Sequence, residues 1–384
     1  MILYLAIFGA TVLMYFFTHN TDISRSKILL FVVMIVLALF VGFGDMLGGY
    51  DRYIYGNLFD SMCDDVKYSF PLYDTALFTL YPTEFGYDFL NYAISFVTHN
   101  RYIFILIYTL IVYILLYASM SRYVTNYPFA LVLFMGLWFF FTFTYLRQVL
   151  AAATCWLAID YAVRRKPAQF FAIVAMAVTI HNSALVFAPL YFVPIRKFQA
   201  KNVMAIMVVC LAVGMTSFAA DLFVNFGEVT DMEKRLANLE DISEMTFRIE
   251  YMIEAVAFLT IILWRYDEID EDDSQIVVLT NMAFIFCAIL LLFVQSDNGG
   301  RLGWYYMMGV IATLTYLANK EERINLYGMG LIVMCAALYL RIVMSWGVLL
   351  SPYKTFLTNG HRDGDRMYEV YEYDDRYDVD KFYR

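Results

Sequence analysis

Charge is scarce in this chain. Only 16% of its 384 residues are Asp, Glu, Lys or Arg, and 61% are hydrophobic. An ordinary soluble domain carries about 25% charged and about 45–50% apolar residues, so that class is excluded. Apolar runs of roughly 16–20 residues recur along the whole length, which is what crossing a hydrocarbon core of ~30 Å requires. Cysteine is sparse too. Cys155, Cys210, Cys287 and Cys335 lie inside apolar segments and only Cys63 lies in a loop. That pattern excludes a disulfide framework and a cysteine metal motif, and leaves small buried hydrophobes. The amino-terminal run MILYLAIFGATVLMYFF has no basic stretch before it and reads as a retained first helix.

Other motifs are missing as well. There is no phosphate-binding glycine loop, no GxGxxG fingerprint, no zincin motif and no DxD-type acidic pair on an outer loop. Asp272-Asp273 falls in the acidic stretch 267–273 and reads as solvated. A sugar-nucleotide donor, a resident metal and any other cofactor are therefore not expected, nor is a nucleic-acid partner. No internal repeat is visible, which counts against an inverted-repeat transporter.

What is present is a set of helices, predicted near 2–17, 28–44, 102–119, 128–144, 148–163, 168–180, 183–194, 201–219, 249–264, 276–294, 304–318 and 326–348. The fold class expected is an all-α polytopic integral membrane protein with about 11–12 transmembrane helices, where basic loops mark the cytoplasm. Arg25 and Lys27, Arg122, Arg164 to Lys166, Arg196 with Lys197 and Lys201, Arg265, and Lys320 with Arg323 occupy every second connection. The alternate connections are acidic and face outside. The largest, 45–101, is rich in Tyr and Asp. Its last part, GYDFLNYAISFVTH, carries Asp88 and Asn91 in an apolar run and reads as an interfacial or re-entrant helix. A second outer loop spans 221–247. The organisation predicted is one transmembrane domain over 1–350 and a polar, Tyr-rich tail over 351–384, expected to be poorly ordered.

The stretch from Tyr145 to Ser183 stands out. Two apolar arms flank Arg164-Arg165-Lys166-Pro167, with Arg147 at the start of one and His181 just past the end of the other. An antiparallel hairpin would bring Arg147 and His181 to one depth at the outer end. A break at His181 is preferred to one long helix 168–194, because a mid-bilayer His is costly and Pro189 and Pro194 interrupt a regular helix.

Arg52, Arg101, Arg147, Arg248, Arg301 and Arg341 lie at outer helix ends, where positive charge is disfavoured. Singly, each could snorkel or pair with a carboxylate. Together, opposite a His and an acidic loop, they suggest an anion site, since the guanidinium fork suits phosphate. Arg301 sits among Gly299, Gly300 and Gly303, ahead of Tyr305. His181 is a candidate base or acid, a substrate contact, or a structural hydrogen-bonding group. In GGYDRYIY, Asp51 lies among Tyr50, Tyr53 and Tyr55, a set suited to sugar hydroxyls and faces, or a plain solvated loop carboxylate.

These residues also carry a resemblance. GGYDRYIY, TEFGYDFLNYAIS, and YLRQVLAAA followed by IHNSAL resemble the motifs of the EpsG family, Wzy-like membrane polymerases of O-antigen, capsule and exopolysaccharide. Phe85 stands where the family usually has Pro. The resemblance implies a GT-C-like architecture in the bacterial inner membrane, with its active site facing the periplasm. It implies metal-independent glycosyl transfer between undecaprenyl-diphosphate-linked oligosaccharides, donor and acceptor both sitting in membrane lipid. Candidate partners are a chain-length regulator and a flippase. The catalytic set expected is Asp51, His181 and Arg147, with Asp51 or His181 taking the acceptor proton. Substrate contacts are expected from Arg147, Arg301, Arg248, Arg52, Tyr50, Tyr53, Tyr55, Glu84 and Tyr305. The alternatives are a lipid-linked oligosaccharide flippase or transporter, and a membrane acyltransferase that modifies a surface glycan.

Overall fold

The computed structural model describes residues 1–45, 51–216, 247–296, 299–320, 324–351, 353–357 and 375–383. Tyr50 and most of the 221–247 connection lie outside these residues.

The chain is all-α and polytopic. Helices α1 (Ile2–Thr18) and α2 (Lys27–Phe43) come first. The 45–101 connection contributes α3 (Asp51–Lys67), the short α4 (Ala76–Leu80) and α5 (Phe85–Ser95). Then follow α6 (Arg101–Tyr123), α7 (Tyr127–Leu137), α8 (Phe141–Thr144), α9 (Leu146–Trp156), α10 (Ile159–Val163) and α11 (Pro167–Ile180). After a 3-10 run, Asn182–Phe192, come α12 (Ala200–Gly214), α13 (Ile249–Trp264), α14 (Ser274–Leu292), α15 (Met307–Ala318) and α16 (Leu326–Ser345). Among the described residues no strand forms; Gly44 and Thr355 make an isolated bridge.

Local chemistry places several helix starts. Asn100 accepts from Tyr102 N at 3.0 Å, Asn126 from Phe129 N at 3.1 Å, and Asn325 from Gly328 N at 2.8 Å. Each satisfies an amide that the helix itself cannot. Three helices, Arg101–Tyr123, Ser274–Leu292 and Leu326–Ser345, are individually long and apolar enough to cross a membrane. The other apolar helices are shorter.

Two predicted helices are broken. The 128–144 segment stops at Leu137, where the Phe134 carbonyl accepts from both Trp138 N and Phe139 N. The turn swings Phe140 and Phe143 against Tyr4, and Phe140 against Tyr339 as well. The 148–163 segment tightens after Trp156 into 3-10 bonds at Leu157 and Ala158. The indole of Trp156 is pinned there by the Tyr305 carbonyl at 2.8 Å. The break at His181 is as expected: α11 ends at Ile180 and the 3-10 run, with Pro189 inside it, begins at Asn182. Helix α3 was not expected, since its acidic sequence reads as a loop.

The chain divides into two compact units. The first comprises 1–153, 179–181 and 318–384; the second comprises 154–178 and 182–317. In the first, α2 packs along α6, α1 and α16 pack on α7, and α3 packs on α5 and α6. Gly136 lets α7 meet α16 closely; a Cβ there would lie 2.5 Å from that of Cys335. In the second unit α14 is central, contacted by α12, α13 and the 3-10 run Gly299–Tyr306.

The tail differs from expectation in its described parts, which pack on the amino-terminal helices of the first unit. Tyr353 stacks on Phe40 with ring centroids 4.6 Å apart, and Asp45 N donates to the Lys354 carbonyl at 3.0 Å. Asn100 donates to the Lys381 carbonyl at 2.6 Å. Tyr377 donates to Asp60 at 3.2 Å, and its ring lies under the Arg101 guanidinium. Arg101 and Asp60 form a buried ion pair, so the tail covers charges that α3 and α6 bring together.

Candidate functional site

The site grows from the amino-terminal end of α5. Its residues at helical spacing, Glu84, Asp88, Asn91 and Ser95, are all buried, while Phe85, Phe89, Phe96 and Val97 are exposed. A helix that turns its polar face inward and its phenylalanines outward is suited to an apolar surrounding, not to water. The polar face is buried within the first unit, to which α5 belongs.

Glu84 ends that face. One carboxylate oxygen accepts from Arg147 Nη1 at 2.5 Å, and the other lies 3.2 Å from His181 Nδ1. One acidic group thus joins the starts and ends of the two hairpin arms, and the expected meeting of Arg147 and His181 occurs through it. Gly86 permits the approach. A Cβ on it would fall 2.2 Å from Thr179 Oγ1 and 3.1 Å from the Thr179 carbonyl carbon.

Arg147 is only 5% exposed. Its guanidinium lies 4.1 Å from the Tyr81 ring centroid, 5.3 Å from Tyr87 and 5.9 Å from Tyr55. Aromatic faces attract a cation at these distances. Its Nε is buried with no hydrogen-bond partner among the described residues. Burial pushes the Tyr87 phenol above its ordinary range, so the ring stands by the guanidinium as a neutral group. Burial also raises the Asp88 carboxyl, to about 7, with Glu84 adding to the rise and Arg147 opposing it.

The other expected residues are placed as follows. Asp51 is the first residue of α3 and is half-buried. Tyr53 and Tyr55 are buried on the same helix, and of the two Tyr55 faces Arg147. Arg52 is buried and donates to the Val41 and Gly44 carbonyls at 3.1 and 2.9 Å, closing the end of α2. Burial lowers it to about 10, so it stays charged at neutral pH, and the carbonyl end of the helix suits a cation. In the second unit, Arg248 precedes α13 and Arg301 is half-buried in the Gly299–Tyr306 run; both act electrostatically on the Tyr251 phenol. Tyr305 is buried, its hydroxyl 2.8 Å from Ser183 Oγ. Among the described residues no three His, Cys, Asp or Glu side chains gather as a metal site.

Sequence reasoning missed Tyr81, Tyr87, Asp88 and Gly86 as site residues. The last three lie within the same short motif as Glu84; Tyr81 had no signal.

A model of the EpsG family matches residues 27–355. The chain belongs to the EpsG family. The match runs from α2 to the start of the tail and contains every residue of the Arg147–Glu84–His181 cluster. Membership is consistent with a glycosyltransferase-type polymerase of surface polysaccharide that works on lipid-linked oligosaccharides. Neither curated proteins nor solved structures provide a match to this EpsG-family chain.

Proposed function

We propose that this EpsG-family protein is a polysaccharide polymerase that joins oligosaccharide repeat units carried on undecaprenyl diphosphate, at the outer face of the bacterial inner membrane. The observation that carries the reading is the single carboxylate, Glu84, shared by a caged Arg147 and by His181. A guanidinium held by one exchangeable acid beside tyrosine faces is arranged to trade that acid for a diphosphate. The planar fork can then hold two phosphate oxygens at once.

In this reading Arg147 binds the donor's diphosphate and stabilises the charge that grows as the anomeric C–O bond breaks. Such a donor, pre-aimed in a dry site, is worth far more than in water. Glu84 keeps its contact with His181 Nδ1, which leaves Nε2 as the basic atom. The acceptor hydroxyl gives its proton to Nε2 while its oxygen bonds the anomeric carbon. The electron pair of the broken bond leaves with the lipid diphosphate. Asp51, Tyr53 and Tyr55 of α3 are candidate sugar contacts.

The test is extension of purified lipid-linked repeat units by the protein in liposomes, read on a glycan gel. Wild type is expected to build a ladder and Arg147→Ala to leave single units at equal membrane level. A wild-type protein that moves these lipids between leaflets without joining them would sink the polymerase reading in favour of a flippase.

A further inference from the structure

Asp88 lies one helical turn from Glu84, on the same inward face of α5, and is 0% exposed. Neither of its carboxylate oxygens has a hydrogen-bond partner among the described residues. No hydrogen bond among the described residues compensates it. Asn91 spends its amide on the Tyr87 carbonyl at 2.8 Å. The Tyr108 hydroxyl, from α6, is likewise buried with no hydrogen-bond partner among the described residues.

An ionised carboxylate in such a place costs far more than a neutral carboxylic acid, because only the anion loses a full hydration shell. Geometry alone therefore favours the protonated form. The charged groups acting on Asp88 are Glu84, on its own helix, and Arg147, from α9. The titratable groups around the pair include Tyr55 of α3, Tyr81 after α4, Tyr87 of α5, Tyr108 of α6, and His181 across Glu84. Asp60 of α3 is committed to Arg101, and Asp65 accepts from Ala76 N.

We propose that Asp88 is a positioning residue which acts through Arg147: while it holds a proton, Arg147 faces the Glu84 carboxylate and can exchange it for a diphosphate; once ionised, it adds a second negative charge to the cluster that opposes the diphosphate. The proposal rests on the polymerase reading for the identity of the diphosphate. Its sign follows from charge counting. With Asp88 neutral, Arg147, Glu84 and a neutral His181 sum to zero, and a diphosphate meets one competitor. With Asp88 ionised the cluster is negative and repels the same ligand. Burial places this change near neutral pH, at about 7.

The experiment uses the whole protein in nanodiscs and a short-chain polyprenyl diphosphate as probe. Affinity for the probe is expected to fall about tenfold per pH unit above the Asp88 midpoint, the slope of a single proton. Asp88→Asn cannot ionise, and its affinity should lose that limb. Infrared spectra of wild type should show a carboxylic-acid C=O band that titrates away over the same range and is missing in Asp88→Asn. Should Asp88→Asn fail to reach the membrane, Asp88→Glu is titrated instead, and its band and affinity midpoint should move together. The proposal is overturned if the limb persists in Asp88→Asn, if wild type has no titrating acid band, or if band and midpoint move separately in Asp88→Glu. Failure of the polymerase reading looks different. Wild type would then extend no lipid-linked units, while the infrared titration would still report the Asp88 proton.

Discussion

Gly86 and Thr179 touch so closely that a side chain at position 86 would force them apart: a Cβ there would lie 2.2 Å from Thr179 Oγ1. This contact joins the start of α5 to the end of α11, and with it Glu84 to His181. Gly86→Ala should separate them. We expect a loss of about 1–3 kcal/mol from overpacking, read as a lower unfolding midpoint, together with shortened glycan chains in cells.

Glu84 compensates a buried guanidinium. Glu84→Gln keeps the shape and removes the charge. We expect about 3–5 kcal/mol of destabilisation, because Arg147 is left buried without its carboxylate. Thermal unfolding in detergent measures it. A variant as stable as wild type would mean that Arg147 finds another anion in the resting protein.

Arg147→Lys tests the fork separately from the charge. A lysine carries the charge without the planar pair of donors. In vitro extension should fall by about 10²–10³-fold, the usual effect of losing one transition-state donor. Near-normal chain growth would place the diphosphate elsewhere.

Stability should depend on pH through Asp88. Its folded-state value, about 7, lies above its ordinary 3.8, so the folded protein holds this proton more tightly than the unfolded chain. This group's contribution is therefore fully present below 3.8 and is lost as pH rises through about 7. Asp88→Asn should flatten that decline. Unfolding midpoints measured across this range for both proteins check it.

The tail should matter to the first unit. Tyr377 donates to Asp60 and covers the Arg101 guanidinium. Tyr377→Phe should cost about 1 kcal/mol, the usual worth of one such hydrogen bond, and removal of residues 375–384 should cost more. Limited proteolysis of the 45–101 connection would report the loosening.

Much of this protein was legible without coordinates. Apolar runs set against scarce charge identify a helical membrane protein, because an uninterrupted apolar segment has one way to satisfy its backbone in lipid. Pro189 and the cost of His181 in mid-bilayer were enough to place the break after Ile180. The E-x-G-Y spacing of Glu84, Gly86 and Tyr87 was visible as a family motif, though not what each residue does.

The rest depends on contacts between distant positions. Glu84 and Arg147 are 63 residues apart, and nothing local in either segment names the other. Helix α3 looked like a loop because its Asp60 is tolerable inside only when Arg101 arrives from another helix. The described parts of the tail looked unstructured because their order comes from residues far away in the chain, such as Phe40, Asp60 and Asn100. Amphipathicity of α5 was apparent, but a pattern has no direction until something packs on it. The sequence by itself determined that this chain is helical, crosses a membrane and carries Arg147 and His181 at the ends of one hairpin. Only the tertiary structure decided that a single carboxylate holds both, because burial and charge pairing are properties of neighbours in space.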